Sequence, residues 1–173
     1  MSFLVMKRVN LFCDANPDKS KHLTLTEMTM PELEEEYQIH QAGGARVDIE
    51  LATGIKAFEM GFNAKGTDLD LMAQFGLADG KVNVFTARGK MVDEIDGTEV
   101  GAVGVIHGRL ARVKPDTFKR TEVHGYEYGI KGVFTYRLQI GDRVPVDFDW
   151  ATNRLIINGV DTNASENALL GIG

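Results

Sequence analysis

A mainly β fold is predicted for this chain, a sandwich or barrel-like domain with one short flanking α-helix and a long hairpin, and three observations predict it. First, from Tyr126 to Ile140 large apolar residues recur at alternate positions (Tyr126, Tyr128, Ile130, Phe134, Tyr136, Leu138, Ile140), with Glu127, Lys131, Thr135, Arg137 and Gln139 in the other phase. Successive side chains of a strand point to opposite faces, so this run is a half-buried strand with its large apolar groups on one side. Second, Glu99 to Val113 is another long strand, bent by Gly101, Gly104 and Gly108, and Lys114-Pro115-Asp116 joins the two as one large hairpin. Third, only Asp68 to Phe75 reads convincingly as a helix. Strands usually run five or six residues. One as long as Tyr126 to Ile140 belongs to a large sandwich, a barrel, or a sheet that continues into neighbouring subunits.

The other elements follow in order. Met6 to Cys13 alternates Val9, Leu11 and Cys13 with polar neighbours, and the turn-forming run Asp14-Ala15-Asn16-Pro17-Asp18 predicts a hairpin into a strand from His22 to Met30. Pro31 ends that strand, having no N–H to donate. Glu32 to Arg46, with its charge run Glu34-Glu35-Glu36 and its small residues Gln41 to Ala45, reads as a long loop. Tyr37, Ile39 and Val47 are apolar residues without an evident core to join, which makes the segment a candidate binding arm as well as a candidate solvated loop. Strands return at Val47 to Leu51 and at Ile55 to Asn63, where Phe58, Met60 and Phe62 share a face. Thr67 is the expected N-cap of the helix, Leu69, Met72 and Ala73 its shared face, and Gly76 its end. Strands are expected from Val82 to Val92, with a hairpin turn at Asp96-Gly97, from Arg143 to Asp149, and from Asn153 to Ile157 before the turn Asn158-Gly159-Val160-Asp161. The tail from Thr162 to Gly173 is small and polar until Leu169.

Composition narrows the function. With 173 residues, 43% apolar and 25% charged, the chain suits a single domain, 1–173. A net charge of −6 argues against gripping nucleic acid through its phosphates, which takes clustered Lys and Arg. Cys13 is the only cysteine, so no internal disulfide and no cysteine zinc site is expected. No run approaches the roughly twenty apolar residues of a membrane-spanning helix, and Met1 to Val9 lacks a signal-peptide core. The expectation is a soluble protein made in the cytoplasm.

Chemistry is largely missing. His22, His40, His107 and His124 lack local metal-ligand spacing and no nucleophile elbow is present. Asp147 and Asp149 share a strand face but read as solvated acids, and Gly101 to Val105 lacks the strand-turn-helix context of a phosphate loop. No catalytic residue, metal or cofactor is expected.

The order of features nevertheless resembles the major tail tube protein of contractile-tailed phages. The resembling parts are Leu23-Thr24-Leu25, Pro31-Glu32-Leu33-Glu34, Ala42-Gly43-Gly44, Val47-Asp48-Ile49-Glu50-Leu51, the strand Phe58 to Phe62 with its helix, Gly108-Arg109, Thr135-Tyr136-Arg137-Leu138 and Asn158-Gly159-Val160-Asp161. They are collinear over nearly the whole chain. Ala168 to Gly173 departs from the pattern in lacking basic residues.

The resemblance implies a structural virion protein, not an enzyme. Homo-hexameric rings stack into the inner tail tube, strands of neighbouring subunits close a continuous barrel, and DNA passes through the lumen without specific binding. Tail sheath, tape measure and baseplate or terminator proteins are the implied partners, and the virion tail is the implied location. The loop 32–46 resembles the family's inter-subunit arm, with Tyr37, Ile39, His40, Ala42, Gly43, Gly44 and Val47 as contact residues. Glu59, Glu127 and Lys131 are lumen-lining candidates, on strand faces opposite the large apolar rows. A repeated negative field would let DNA slide. Two readings stand beside this one: the tube of a DNA-free contractile system, tailocin or secretion-type, and a monomeric ligand-binding β-barrel, which would enclose its own cavity.

Overall fold

The predicted long hairpin is the spine of the molecule. A computed structural model describes residues 2–13, 20–76 and 81–172. In it β7 (Glu99–Pro115) pairs antiparallel with β8 (Gly125–Ile140) along nearly its whole length. The opposite edge of β8 is shared. Its first half, Gly125 to Ile130, pairs with β5 (Met60–Lys65), and its second half, Thr135 to Ile140, with β9 (Arg143–Asp149). The sheet therefore forks at β8.

One branch continues from β5 to β2 (Leu25–Thr29). The other runs outward on both sides. Beyond β9 lie β10 (Arg154–Ile157) and β11 (Val160–Asp161), while the first half of β7 pairs with β6 (Asn83–Asp93) and β6 with β1 (Leu4–Cys13). Among the described residues the nine-stranded sheet does not close on itself. It folds over a core that gathers Leu11 and Cys13 from β1, Met60 and Phe62 from β5, Phe85 from β6, Ile106 and Leu110 from β7, and Tyr128, Ile130 and Tyr136 from β8. Phe58 joins it just before β5, edge-on to Phe148 with ring centroids 4.9 Å apart.

The alternation along β8 holds at both ends and slips in the middle. Tyr128, Ile130 and Tyr136 are buried as expected, but Phe134 faces solvent and Val133 packs inward. Gly132 takes a positive φ of 58° there, open to glycine at no steric cost. Four residue steps of β8, Lys131 to Thr135, span only two of β7. An even excess restores the original phase, so Tyr136 returns to the core.

Several expectations are corrected. The chain does turn back on β1 after residues 14–18, Phe12 bridging antiparallel to Ser20 and the Lys21 N–H donating to the Leu11 carbonyl at 2.8 Å, but the two strands do not pair further as a hairpin: β1 pairs with β6 and β2 with β5. The turn Asp14 to Asp18 itself lies outside the described residues. The helix α1 is shorter, Leu69–Met72, and is capped by Asp68 rather than Thr67, its carboxylate accepting from the Leu71 N–H at 3.0 Å. Leu71 is its buried residue, whereas Leu69 is exposed. A second helix, α2 (Ala164–Leu170), occupies the tail read as merely small and polar. The loop 32–46 is also ordered differently, as described next. Among the described residues no helix is long and apolar enough to cross a membrane.

Candidate assembly surfaces

Between β2 and β5 the chain leaves the sheet as a two-stranded hairpin rather than an unstructured loop. β3 (Glu35–His40) pairs antiparallel with β4 (Ile49–Ile55), matching Tyr37 with Ala52 and Ile39 with Glu50 on one face, and Gln38 with Leu51 and His40 with Ile49 on the other. Its base is closed where the Lys56 N–H donates to the Glu34 carbonyl at 2.9 Å and Lys56 Nζ pairs with the Glu34 carboxylate at 2.7 Å. At its tip Gln41 Nε2 donates to Asp48 Oδ2 at 3.0 Å. Both strands are exposed at every residue. Of the predicted arm residues, Tyr37, Ile39 and His40 lie on β3, and Ala42, Gly43, Gly44 and Val47 lie in the connection to β4, all exposed. Ile49 and Leu51 extend the apolar surface to the second face. A two-stranded hairpin apolar on both faces and packed on neither is marginal in water.

The second surface is the outer face of the forked branch, β2-β5-β8-β7. Its inner face carries Met60, Phe62, Tyr128 and Leu110, so period two sends Asn63, Glu127 and Lys131 outward, and the register shift between Leu110 and Arg112 turns Arg112 and Lys114 to the same side. The lumen candidates meet here. Lys131 Nζ lies 2.9 Å from Glu59 Oε1, and Glu127 is held by Arg112 and, at 3.8 Å, by Lys114. Neither acid is an isolated charge. Where the arm leaves the sheet, a concavity is lined by Glu27, Glu32, Glu34, Glu36, Glu59 and Glu127 together with Lys56, Arg112 and Lys131. Each of these three bases has its carboxylate, Glu34, Glu127 and Glu59 respectively. The surplus is Glu27, Glu32 and Glu36, which form no ion pair among the described residues; Glu27 accepts only the Asn63 amide, at 2.7 Å. Sequence reading picked the two strand-face acids and missed the three unbalanced ones, because ion pairing across strands depends on register.

The third feature is a pair of free sheet edges. Among the described residues β2 has a partner only in β5. β6 stops pairing with β7 at Gly108 and Phe75 bridges to Leu110, which leaves residues 111–115 of β7 with no strand on that side among the described residues. Asp147 accepts from Arg137 at 3.4 Å and from Arg154 at 3.2 Å, and Asp149 accepts from the Ala151 N–H at 2.9 Å, so this acidic pair is structural. Cys13 is fully buried, and burial pushes its thiol up to about 12. Among the described residues no group of three or more His, Cys, Asp or Glu is placed to hold a metal ion.

Similar folds occur in a chain of the anti-feeding prophage baseplate, 6-fold symmetrised (TM-score 0.55, 15% identity, 80% of this chain and 97% of that one). They occur also in the sheath/tube terminator of PVC, an extracellular contractile injection system, in its extended state (TM-score 0.52, 11% identity, 76% and 93%). A third is in the sheath-tube complex of the same system (TM-score 0.52, 7% identity, 76% and 88%). No curated protein sequence matches. Residues 5–171 match the family described as phage tail tube protein FII, and since that match spans nearly the entire sequence, the chain belongs to this family of tail tube proteins.

Proposed function

We propose that this chain builds the inner tube of a contractile tail: copies close side by side into six-membered rings, and rings stack into a conduit for DNA and the tape measure protein. The carrying observation is the branch β2-β5-β8-β7, four strands with a free edge at each end. Its neighbours are antiparallel throughout, and an even number of strands lets β2 of one copy continue the alternation beside residues 111–115 of the next. Pairing these edges makes one continuous barrel and leaves neither of the two exposed. The paired face with Glu59, Glu127 and Lys131 then lines the lumen, and the surplus of Glu27, Glu32 and Glu36 keeps the passage acidic so that DNA slides without sticking. Six copies agree with the 6-fold symmetry of the assembly holding a similar chain. Sheath, terminator and baseplate proteins are the partners in the tail, as in the assemblies named above. The role is structural, not enzymatic.

The similar folds from an extracellular contractile injection system favour a second reading, a tube that conducts no DNA. A self-contained ligand-binding barrel gains nothing from a sheet that stays open. Negative-stain microscopy and sedimentation of the purified protein over a wide concentration range test the tube directly. Rings and tubes about one subunit thick in the wall are expected, and monomer at every concentration would overturn the proposal. Nucleic acid recovered from purified native particles separates the DNA conduit from the DNA-free tube.

A further inference from the structure

The strands of the forked branch have two ends, and strand register places each loop at one of them. At one end Leu25, Ala64, Tyr126 and Pro115 lie in a row across the sheet; at the other, Thr29, Gly61, Gly129 and Arg112. The arm leaves after Thr29 and returns before Met60, so it extends from the second end. The first end gathers three connections: 21–24, 66–69 and the hairpin tip 116–124. They are tied together, the Lys65 N–H donating to Thr24 at 2.8 Å, the Gly66 N–H to His124 at 2.8 Å, and Lys21 pairing with Asp68.

This end is more apolar than a loop cluster needs to be. Leu23 is 87% exposed, Phe118 78%, Leu69 74% and Val123 71%. Arg120 stands in the same tip and makes no ion pair among the described residues. The arm is the complement: apolar through Tyr37, Ile39, Ile49 and Leu51, and acidic through Glu32, Glu34, Glu35, Glu36, Asp48 and Glu50 against Arg46 and Lys56. The other bases of this end are paired, Lys21 with Asp68, Lys65 with Asp116 and Lys119 with Glu122, so Arg120 is what it offers to an acidic arm. Uncovered apolar groups at opposite ends describe a joint that propagates head to tail without closing.

We propose that Leu23, Leu69, Phe118 and Val123, with Arg120 beside them, form the socket that receives the β3–β4 arm of a second copy in the adjacent ring. The inference rests on the stacked-tube reading and names the surface that reading leaves open. A stack built this way is polar, every arm pointing the same way, and its growth has no intrinsic stop.

Two variants test it. The socket variant carries Phe118→Ser and Val123→Ser; the arm variant carries Ile39→Ser and Leu51→Ser. Each alone is expected to give rings that do not stack. Mixed, they are expected to give pairs of rings and nothing longer, because one joint per pair remains intact. Full-length tubes from the socket variant, or only single rings from the mixture, would overturn the socket. A cross-link covers the case in which serine disturbs folding. Tubes of a chain carrying Ile39→Cys with Leu23→Cys, Phe118→Cys or Val123→Cys are oxidised and run under denaturing conditions; buried Cys13 does not compete. At least one pair should give a ladder of linear multimers that neither single variant gives. Tubes that yield no ladder for any pair reject the socket while leaving the tube intact, whereas absence of rings and tubes from the unaltered chain rejects the tube and the socket with it.

Discussion

Lys131 Nζ and Glu59 Oε1 lie 2.9 Å apart, joining the segment before β5 to the middle of β8 across the outer face of the forked branch. Both side chains are more than half exposed, so the pair contributes less than about 1 kcal/mol to folding, and its effect is to cancel charge. Replacing Glu27, Glu32 and Glu36 by Gln is therefore expected to slow DNA passage at low ionic strength more than replacing Glu59 alone. Added salt should erase the difference, since screening acts within a Debye length of about 8 Å. Equal ejection rates for the two sets at low salt would contradict it.

Two glycines should respond differently to one methyl group. A Cβ on Gly125 would stand 2.5 Å from the Ala64 carbonyl oxygen and 3.1 Å from the Lys65 Cα, both fixed in the β5–β8 ladder. Gly125→Ala should cost about 2 kcal/mol. At Gly104 the nearest atom is Met30 Cε at 2.4 Å, the end of a flexible side chain, and Gly104→Ala should cost under about 1 kcal/mol. Urea midpoints of the two variants decide the order.

Tyr128 is fully buried, stacked on Phe62 at 4.9 Å, and its hydroxyl has no hydrogen-bond partner among the described residues. An unmatched buried hydroxyl opposes folding. Tyr128→Phe is expected to raise stability by about 1 kcal/mol, and a drop in the unfolding midpoint would contradict this.

Alkaline pH should unfold the protein through three buried groups. Burial pushes Tyr128 and Tyr136 from 10.0 up to about 12, and Cys13 from 9.0 up to about 12. Their folded values exceed their unfolded ones, so the unfolded chain releases protons first. These three groups leave stability unaffected below about pH 9 and lower it as pH rises towards 12, by roughly 1.4 kcal/mol per pH unit for each group in its window. Tyr136→Phe should flatten the decline between pH 10 and 12, which urea titrations at stepped pH measure.

Amide exchange should be fast along Glu35–His40 and Ile49–Ile55 in the isolated subunit, where every residue is exposed, and slow at Ile106, Tyr128 and Ile130. Tube assembly should protect the arm. Exchange at those strands unchanged by assembly would remove the arm from the interface.

Local pattern made some elements legible and left others hidden. The β7–β8 hairpin and the buried row Phe58, Met60, Phe62 could be read because alternation is written in adjacent residues. Partner choice is not local. The turn-rich run 14–18 predicts a reversal, which the bridge from Phe12 to Ser20 shows, yet β1 takes its strand partner from β6 some eighty residues away, through contacts such as Leu11 opposite Ala87. In the arm, Glu35, Tyr37 and Ile39 do alternate with Glu36, Gln38 and His40, but three successive glutamates and the glycines at 43 and 44 outweighed that short period. The tail helix had its signals too: Asn163 at the N-cap and Gly171 after the last turn, the latter with φ 69°. The free edges of β2 and β7 left no mark in the sequence, since an unpaired strand and a paired one share the same alternation.

The fork at β8 also decides how the molecule bears load. Tip and arm lie at opposite ends of strands that run between them, so in the proposed stack a force passed from arm to socket would travel parallel to the backbone. The ladders joining β8 to β5 and to β7 are then strained in shear, all rungs together, and cannot be opened one rung at a time as a zipper is. Because β9 grips the remaining length of β8, sliding β8 out of one ladder must also strip it from the next. A tail that fires by sudden contraction places its tube under this kind of thrust, and the shared strand is the part of the subunit able to transmit it.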